Sequence, residues 1–436
     1  MLYPRLEKIW MNIDYPFFLN SDSGELYFNQ LKDIKVQGIE KVKSGDVVAL
    51  IGDFDPESIS SLLHLLSLGV ILVPLTMDTK EQHEYFFEQS FCQYIFQKNK
   101  LKVCITKQQK NHPLLDQLRK KQNPGLIFFT TGTTGRPKAI IHDFLPFIDR
   151  YKTPRPPLKA LSFLLFDHIG GLNTLFHMLF NLGQVVAIKE RRVESVLDMM
   201  NKYSIELLPT TPTFLRIISL YKDIQKRIPD SLKIISYGTE RMDQNTLSSL
   251  CKKFPRIDFR QTYGMSELGI LRIKSKSRDS LFMKVGGEGI ETKVVDNILY
   301  IKAANKMLGY LNSKSPFDSK NWYCTKDIVE EDKEGFLKIV GRDSDIINIG
   351  GLKFMPYEIE RECLKIENVK YVKAIGKSNP ITGQHLELII EPENFSNQVS
   401  FKKMVLNNLK DRLPRHMVPS KIKIDSLKIS HRFKKL

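Results

Sequence analysis

Short apolar runs bounded by glycine and proline alternate along this chain with stretches of helical period. Gly45-Asp46-Val47-Val48-Ala49-Leu50-Ile51-Gly52 reads as a strand of β-branched and apolar residues between glycines. Asp55-Pro56-Glu57 then opens a helix: Asp55 caps, Pro56 suits the first turn and Glu57 complements the dipole. The helix runs to about Leu68, Gly69 stops it, and Val70–Pro74 is the next strand. Strand, helix and parallel strand make a βαβ unit. The alternation continues with a strand at Leu126–Phe129, a helix at about Leu172–Leu182, a strand at Gly183–Ile188 and a helix at Val193–Tyr203. Leu207–Arg216 reads as a strand leading into a helix, and Ile234–Gly238 as a strand ending in a glycine turn. After residue 361 the pattern changes to a small α+β unit. A helix at about Pro356–Ile366 precedes strands at Val369–Gly376 and Leu386–Glu391, a helix at Ser400–Arg412 and a strand at Ile422–Ile424. The fold class expected is α/β: a large N-terminal domain of βαβ-type sheets packed with helices, followed by a small α+β C-terminal domain.

At 436 residues there is room for two or three domains with real cores. The most apolar stretch, Leu62–Leu75, is broken by His64, Ser67 and Pro74 and is shorter than the ~20 residues of a membrane span. The N-terminus lacks the apolar core of a signal peptide. Five scattered cysteines, without a Cys-x-x-Cys pair, read as free thiols in a reducing cytoplasm. The formal charge of +17 is spread through helical and loop segments alike. It therefore reads as a solvated surface that attracts anionic small molecules or an acidic partner, and nucleic acid is not expected as a partner.

Three stretches carry chemistry. The first is Thr130-Thr131-Gly132-Thr133-Thr134-Gly135-Arg136-Pro137-Lys138, directly after the strand Leu126–Phe129. Its glycines let backbone approach a ligand, its N–H groups and hydroxyls can surround an anion, and Lys138 adds a point charge. The spacing is not that of the Walker A loop, and by composition alone a plain Thr/Gly-rich turn is an equal reading. The second is Gln261-Thr262-Tyr263-Gly264-Met265-Ser266-Glu267. Tyr263 can stack on a purine, Thr262 and Ser266 can donate to a phosphate, and Glu267 is a hard oxygen ligand suited to Mg²⁺. The third is Gly341-Arg342-Asp343-Ser344-Asp345, a polar turn between strands, followed by Gly350-Gly351. Asp167-His168, between a strand and a helix, is open to two readings. One is a proton shuttle; the other is helix capping by Asp167 beside a packed histidine.

In order and position these stretches resemble the signature motifs of the adenylate-forming (AMP-binding) superfamily, which comprises acyl-CoA synthetases, stand-alone adenylation domains and luciferases. The departures are Ala139, Lys326 and Phe433 where the family has glycine, and Ser344 at the interdomain pivot. The resemblance implies that Thr130–Gly135 and Lys138 hold the β- and γ-phosphates of ATP, and that Gly238-Thr239-Glu240 lies against adenine. It places Thr262, Tyr263, Gly264 and Ser266 around the nucleotide, Mg²⁺ on Glu267, Asp327 on the ribose hydroxyls and Arg342 on the ribose and phosphate side. Asp167 and His168 would face the acyl substrate. Lys434 would be the lysine that neutralises charge during adenylation, so that Lys434, Glu267, Thr131 and Lys138 form the catalytic set. A large domain, 1–341, and a small mobile one, 342–436, would be joined by a hinge at about 342–345. The activity implied is AMP-forming ligation of a small carboxylic acid to coenzyme A through an acyl-adenylate. Two alternatives are loading of an acyl or peptidyl carrier protein and non-catalytic nucleotide binding.

Overall fold

The computed structural model describes residues 2–20, 24–104, 111–130, 136–221, 223–393 and 397–426. Two seven-stranded sheets form the centre of the large lobe. One runs in the order 258–261, 234–237, 207–210, 159–161, 184–186, 18–20, 24–26, parallel throughout except for its last pair. The other runs 309–310, 139–143, 125–129, 71–75, 47–51, 94–97, 100–103, with a parallel core of four strands and antiparallel flanks.

Alternate residues of one strand enter different cores. Val48 and Leu50 pack with Phe18, Ala160 and Val185 of the opposite sheet and with helices Leu2–Trp10, Pro56–Leu68 and Ile169–Phe180. Val47, Ala49 and Ile51 pack outward with Phe86, Leu115 and Leu118, which lie on helices His83–Ser90 and Pro113–Lys121. The outer face of the first sheet is covered by helices Val193–Lys202, Pro212–Ser219 and Gln244–Lys253. Helices therefore cover both faces of each sheet, which is why these strands read as unbroken apolar runs. The expected βαβ unit is present: Asp55 caps Pro56–Leu68 by accepting from the Ser58 N–H at 2.8 Å. Gly69 ends that helix at φ 88°, in the left-handed region that suits glycine.

A third, six-stranded antiparallel sheet (273–275, 283–285, 337–342, 323–331, 298–303, 290–295) follows in the chain. Its Leu337–Arg342 strand leads through a short exposed turn, Asp343–Asp345, into the sheet of the small lobe. That lobe has its own core, from Ile347 and Phe354 to Leu409 and Met417. Among the described residues no helix is long and apolar enough to cross a membrane.

Candidate active site

One strand, Ala139–Asp143, brings the separated motifs together. It leaves the Thr/Gly-rich loop and pairs with Gly125–Phe129 on one side and Gly309-Tyr310 on the other. The stem of the loop is closed by the Thr130 N–H donating to the Lys138 carbonyl at 3.1 Å and the Lys138 N–H donating to Thr130 Oγ1 at 3.3 Å. Asn312 clamps its exit: its Oδ1 accepts from the Ala139 N–H at 2.9 Å and its Nδ2 donates to the Pro137 carbonyl at 3.1 Å. Thr131, Gly132, Thr133, Thr134 and Gly135 lie outside the described residues, as does Lys434.

From this strand two contacts reach the second motif. His142, 2 % exposed, has its Nε2 2.6 Å from the Ser266 carbonyl. Burial pushes its pKa down to about 4, so the ring is neutral and Nε2–H donates to that carbonyl. The register that sets Tyr310 beside Ile140 places the Tyr310 hydroxyl 2.7 Å from Glu267 Oε1. Lys138 Nζ stands over the Tyr310 ring, 4.7 Å from its centroid. Lys138, Tyr310 and Glu267 thus form one chain of contacts. Tyr323 stands close enough to Glu267 for the carboxylate charge to act on its hydroxyl. Burial, then the Glu267 carboxylate, raises the pKa of both Tyr310 and Tyr323, which stay protonated, and Tyr310 donates to that carboxylate.

Asp327 lies within the strand Tyr323–Glu331, 4 % exposed. Its Oδ2 accepts from the Tyr263 hydroxyl at 2.6 Å and its Oδ1 from Arg342 Nε at 3.1 Å. Burial raises its pKa, while Arg342 and Tyr263 oppose the rise. The Tyr263 ring is itself buried, and it serves here as a donor that holds Asp327. Lys326, where the family has glycine, adopts φ 59°, the conformation in which glycine is unstrained.

The Gly238 turn packs directly on Thr262. A Cβ at Gly238 would stand 2.1 Å from Thr262 Oγ1, so only glycine fits there. The Thr262 hydroxyl donates to the Tyr237 carbonyl at 3.1 Å, which uses the proton that the sequence reading reserves for a phosphate. Thr239 is left-handed at φ 69°, and Glu240 Oε2 accepts from Thr213 Oγ1 at 2.6 Å. Gly264 is likewise tight, with the Gly269 carbonyl 2.5 Å from a Cβ built on it.

Asp167 and His168 lie at the entry to helix Ile169–Phe180. The cap is His168, whose Nδ1 accepts from the Gly170 N–H at 3.0 Å, and this corrects the capping assigned to Asp167 by one residue. An imidazole nitrogen lone pair does the work of a cap oxygen here. Asp167 is 5 % exposed and accepts from Thr76 Oγ1 at 3.4 Å. Gly171 is required by packing: a Cβ on it would meet the Leu165 carbonyl at 1.9 Å.

A family model described as AMP-binding enzyme matches residues 37–311, well over half of the chain. The chain belongs to the AMP-binding enzyme family. A relative named 2-succinylbenzoate–CoA ligase, from Staphylococcus epidermidis, is 26 % identical over 314 residues. That match takes in 68 % of this chain, and the chain spans 64 % of the relative's length. Among solved structures, the anthranilate CoA ligase AuaEII in complex with anthranoyl-AMP superposes with a TM-score of 0.80 at 17 % identity, over 100 % of this chain and 94 % of that one. The o-succinylbenzoate CoA synthetase of Bacillus subtilis in complex with OSB-AMP does so with a TM-score of 0.76 at 19 % identity, over 100 % and 96 %. The chain therefore has the fold of adenylate-forming enzymes, a large N-terminal domain followed by a small C-terminal one.

Sequence reasoning missed His142, Tyr310, Tyr323 and Asn312. Tyr310 and Tyr323 adjoin glycine or motif residues and so carried a local signal. His142 and Asn312 carried none, because their roles exist only once the strand Ala139–Asp143 has its neighbours.

Proposed function

We propose that this family member activates a carboxylic acid with ATP, forming an acyl-adenylate and pyrophosphate, and then transfers the acyl group to the thiol of coenzyme A. The observation that carries the reading is the contact chain Lys138–Tyr310–Glu267, with Tyr323 within electrostatic reach of Glu267 and Tyr263–Asp327–Arg342 beside it. It holds a cation, a carboxylate and two protonated tyrosines at the mouth of a Thr/Gly-rich loop. Such chemistry is mainly positioning and charge neutralisation, and these groups are fixed before substrate arrives. The names of the relatives, CoA ligases of aryl acids, also support it.

In this reading Lys138 and the loop hold the β- and γ-phosphates, and Asp327 with Arg342 holds the ribose. The Gly238 turn lies against adenine, with Thr239, Glu240, Thr262, Tyr263, Gly264 and Ser266 framing the nucleotide. Mg²⁺ takes one or two carboxylates plus phosphate oxygens, not an all-protein cage. Glu267, a single carboxylate held by Tyr310, fits that role, and the ion would supply charge neutralisation at the phosphates. The stretch 342–345 is the proposed hinge between 1–341 and 342–436. Asp167 and His168 are proposed on the acyl side, and Lys434 as the adenylation lysine.

The test is pyrophosphate release from Mg-ATP over a panel of fatty, aromatic and amino acids, with and without coenzyme A. Release with one acid class, followed by thioester formation with coenzyme A, is the expected result. Thioester on a carrier protein alone would favour carrier loading, and ATP binding without release would refute the ligase reading. Lys434→Ala is expected to slow adenylation by a factor on the order of 10²–10³ while leaving thiolysis of supplied acyl-adenylate nearly intact. An equal fall in both half-reactions would remove Lys434 from the assignment.

A further inference from the structure

A cavity lies between the lobes, lined by residues outside the contact chain around Glu267. Its volume is about 330 Å³, within the range of small-molecule sites. The large lobe supplies Arg216 and Ser219 from helix Pro212–Ser219, Arg241 and Asp243 from the loop after the Gly238 turn, and Thr246 from helix Gln244–Lys253. The small lobe supplies Tyr357 and Arg361 from helix Pro356–Cys363, and Lys370 and Tyr371 from strand Val369–Asn379.

Five cations (Arg216, Arg241, Lys338, Arg361, Lys370) face two carboxylates, Asp243 and Glu360. Most of the cations are spoken for. Arg216 pairs with Asp243 at 2.9 Å, Lys338 with Glu330 at 3.1 Å, Arg361 with Glu362 at 3.2 Å and Lys370 with Glu391 at 2.7 Å. Arg241 differs. Among the described residues it has no carboxylate within ion-pair distance and donates no hydrogen bond; its guanidinium stands over Tyr357, 4.3 Å from the ring centroid. Burial works most strongly against its protonated form, the Glu360 and Asp243 carboxylates support it from a distance, and the Arg216 charge opposes it, so that its pKa is lowered on balance. A guanidinium has five N–H donors, and leaving them unfilled in a half-buried site is costly. A second orphan lines the cleft from the small lobe. Tyr371 is 6 % exposed, and its hydroxyl has no hydrogen-bond partner among the described residues. The neutral Tyr371 hydroxyl lies close enough to Arg216 for the guanidinium charge to act on it.

We propose that this interlobe cleft is a binding site for an anion carrying one or two phosphate groups. Arg241 is its principal anchor, in a bidentate contact that guanidinium geometry favours, and the Tyr371 hydroxyl is a further donor. Because both lobes line the cleft, an anion there favours the lobe arrangement seen here over any arrangement that opens it. The proposal does not depend on the acid-activating reading of the first site.

The test is calorimetric titration of the whole chain with adenosine 3′,5′-bisphosphate and, separately, with inorganic pyrophosphate. The two probes distinguish a nucleotide-borne phosphate from a free one. Three variants are compared with wild type: Arg241→Gln, Tyr371→Phe and Lys138→Ala. At least one probe is expected to bind. Arg241→Gln should weaken it about tenfold or more, the scale of a lost charge-assisted hydrogen bond. Tyr371→Phe should weaken it severalfold while melting no lower than wild type in the absence of ligand, since the hydroxyl it removes has no partner. Lys138→Ala should leave this binding in place. Failure of both probes to bind wild type would overturn the proposal. So would equal affinity in wild type, Arg241→Gln and Tyr371→Phe, or loss only with Lys138→Ala, which would put the anion at the Thr/Gly-rich loop.

Discussion

His142 provides a measurable link between the site and pH. The ring is buried, neutral and bonded to the Ser266 carbonyl, with a pKa of about 4 in the folded protein against 6.5 ordinarily. Between those values the unfolded chain binds a proton that the folded one refuses. Stability is therefore fully present above pH 6.5 and is lost as pH falls toward 4. At pH 5 the pH has dropped about 1.5 units below the unfolded value, so the loss is about 2 kcal/mol. Other histidines with lowered pKa values (His83, His112, His177) act in the same direction, and a comparison with His142→Gln removes them. Glutamine keeps an N–H where Nε2 stood and does not titrate. The assay is urea unfolding at pH 7 and pH 5, followed by tryptophan fluorescence. Trp10 and Trp322 both belong to the large lobe, where His142 lies. Wild type should lose about 2 kcal/mol more than His142→Gln between the two pH values. That equals a midpoint difference of about 0.7 M urea for an m-value near 3 kcal/mol/M. An identical pH dependence in the two proteins would refute the burial argument, whatever their difference at pH 7.

Three further perturbations read other parts of the same structure. Tyr263→Phe removes a 2.6 Å donor from the buried Asp327 carboxylate and should cost about 1.5–3 kcal/mol at pH 7. Burial has already raised the Asp327 pKa, so that cost should shrink as pH falls through the raised value and the carboxyl protonates; a cost independent of pH would contradict it. Gly238→Ala drives a Cβ to 2.1 Å from Thr262 Oγ1 and 2.8 Å from the Thr262 carbonyl. It should destabilise the large lobe by about 1–3 kcal/mol and weaken ATP binding, and unchanged values in both measurements would sink the close-approach argument. Lys326→Gly relieves a left-handed φ of 59° and should raise the urea midpoint, by about 1 kcal/mol of stability; a loss would mean that the lysine side chain repays its strain.

Much of the scaffold was legible one window at a time. Asp55, Pro56 and Gly69 announced both ends of their helix, and the apolar runs 47–51, 71–75 and 125–129 announced strands covered on both faces. These signals are local, since a cap bonds within a few residues and a doubly covered strand is apolar at every position. Gly238 could be read as a turn, and Glu267 as a lone carboxylate among small polar residues. Chain order could not say that Ala139–Asp143 would lie beside Gly309-Tyr310, so that Tyr310 bonds Glu267 and His142 bonds Ser266. It could not assign the cap to His168 over Asp167, or show that Arg241 would face a cleft shared with Tyr371. Strand order and lobe packing are set by burial summed over the whole chain. A single residue's hydrogen-bonding choice between water and a distant partner is decided only when that packing closes.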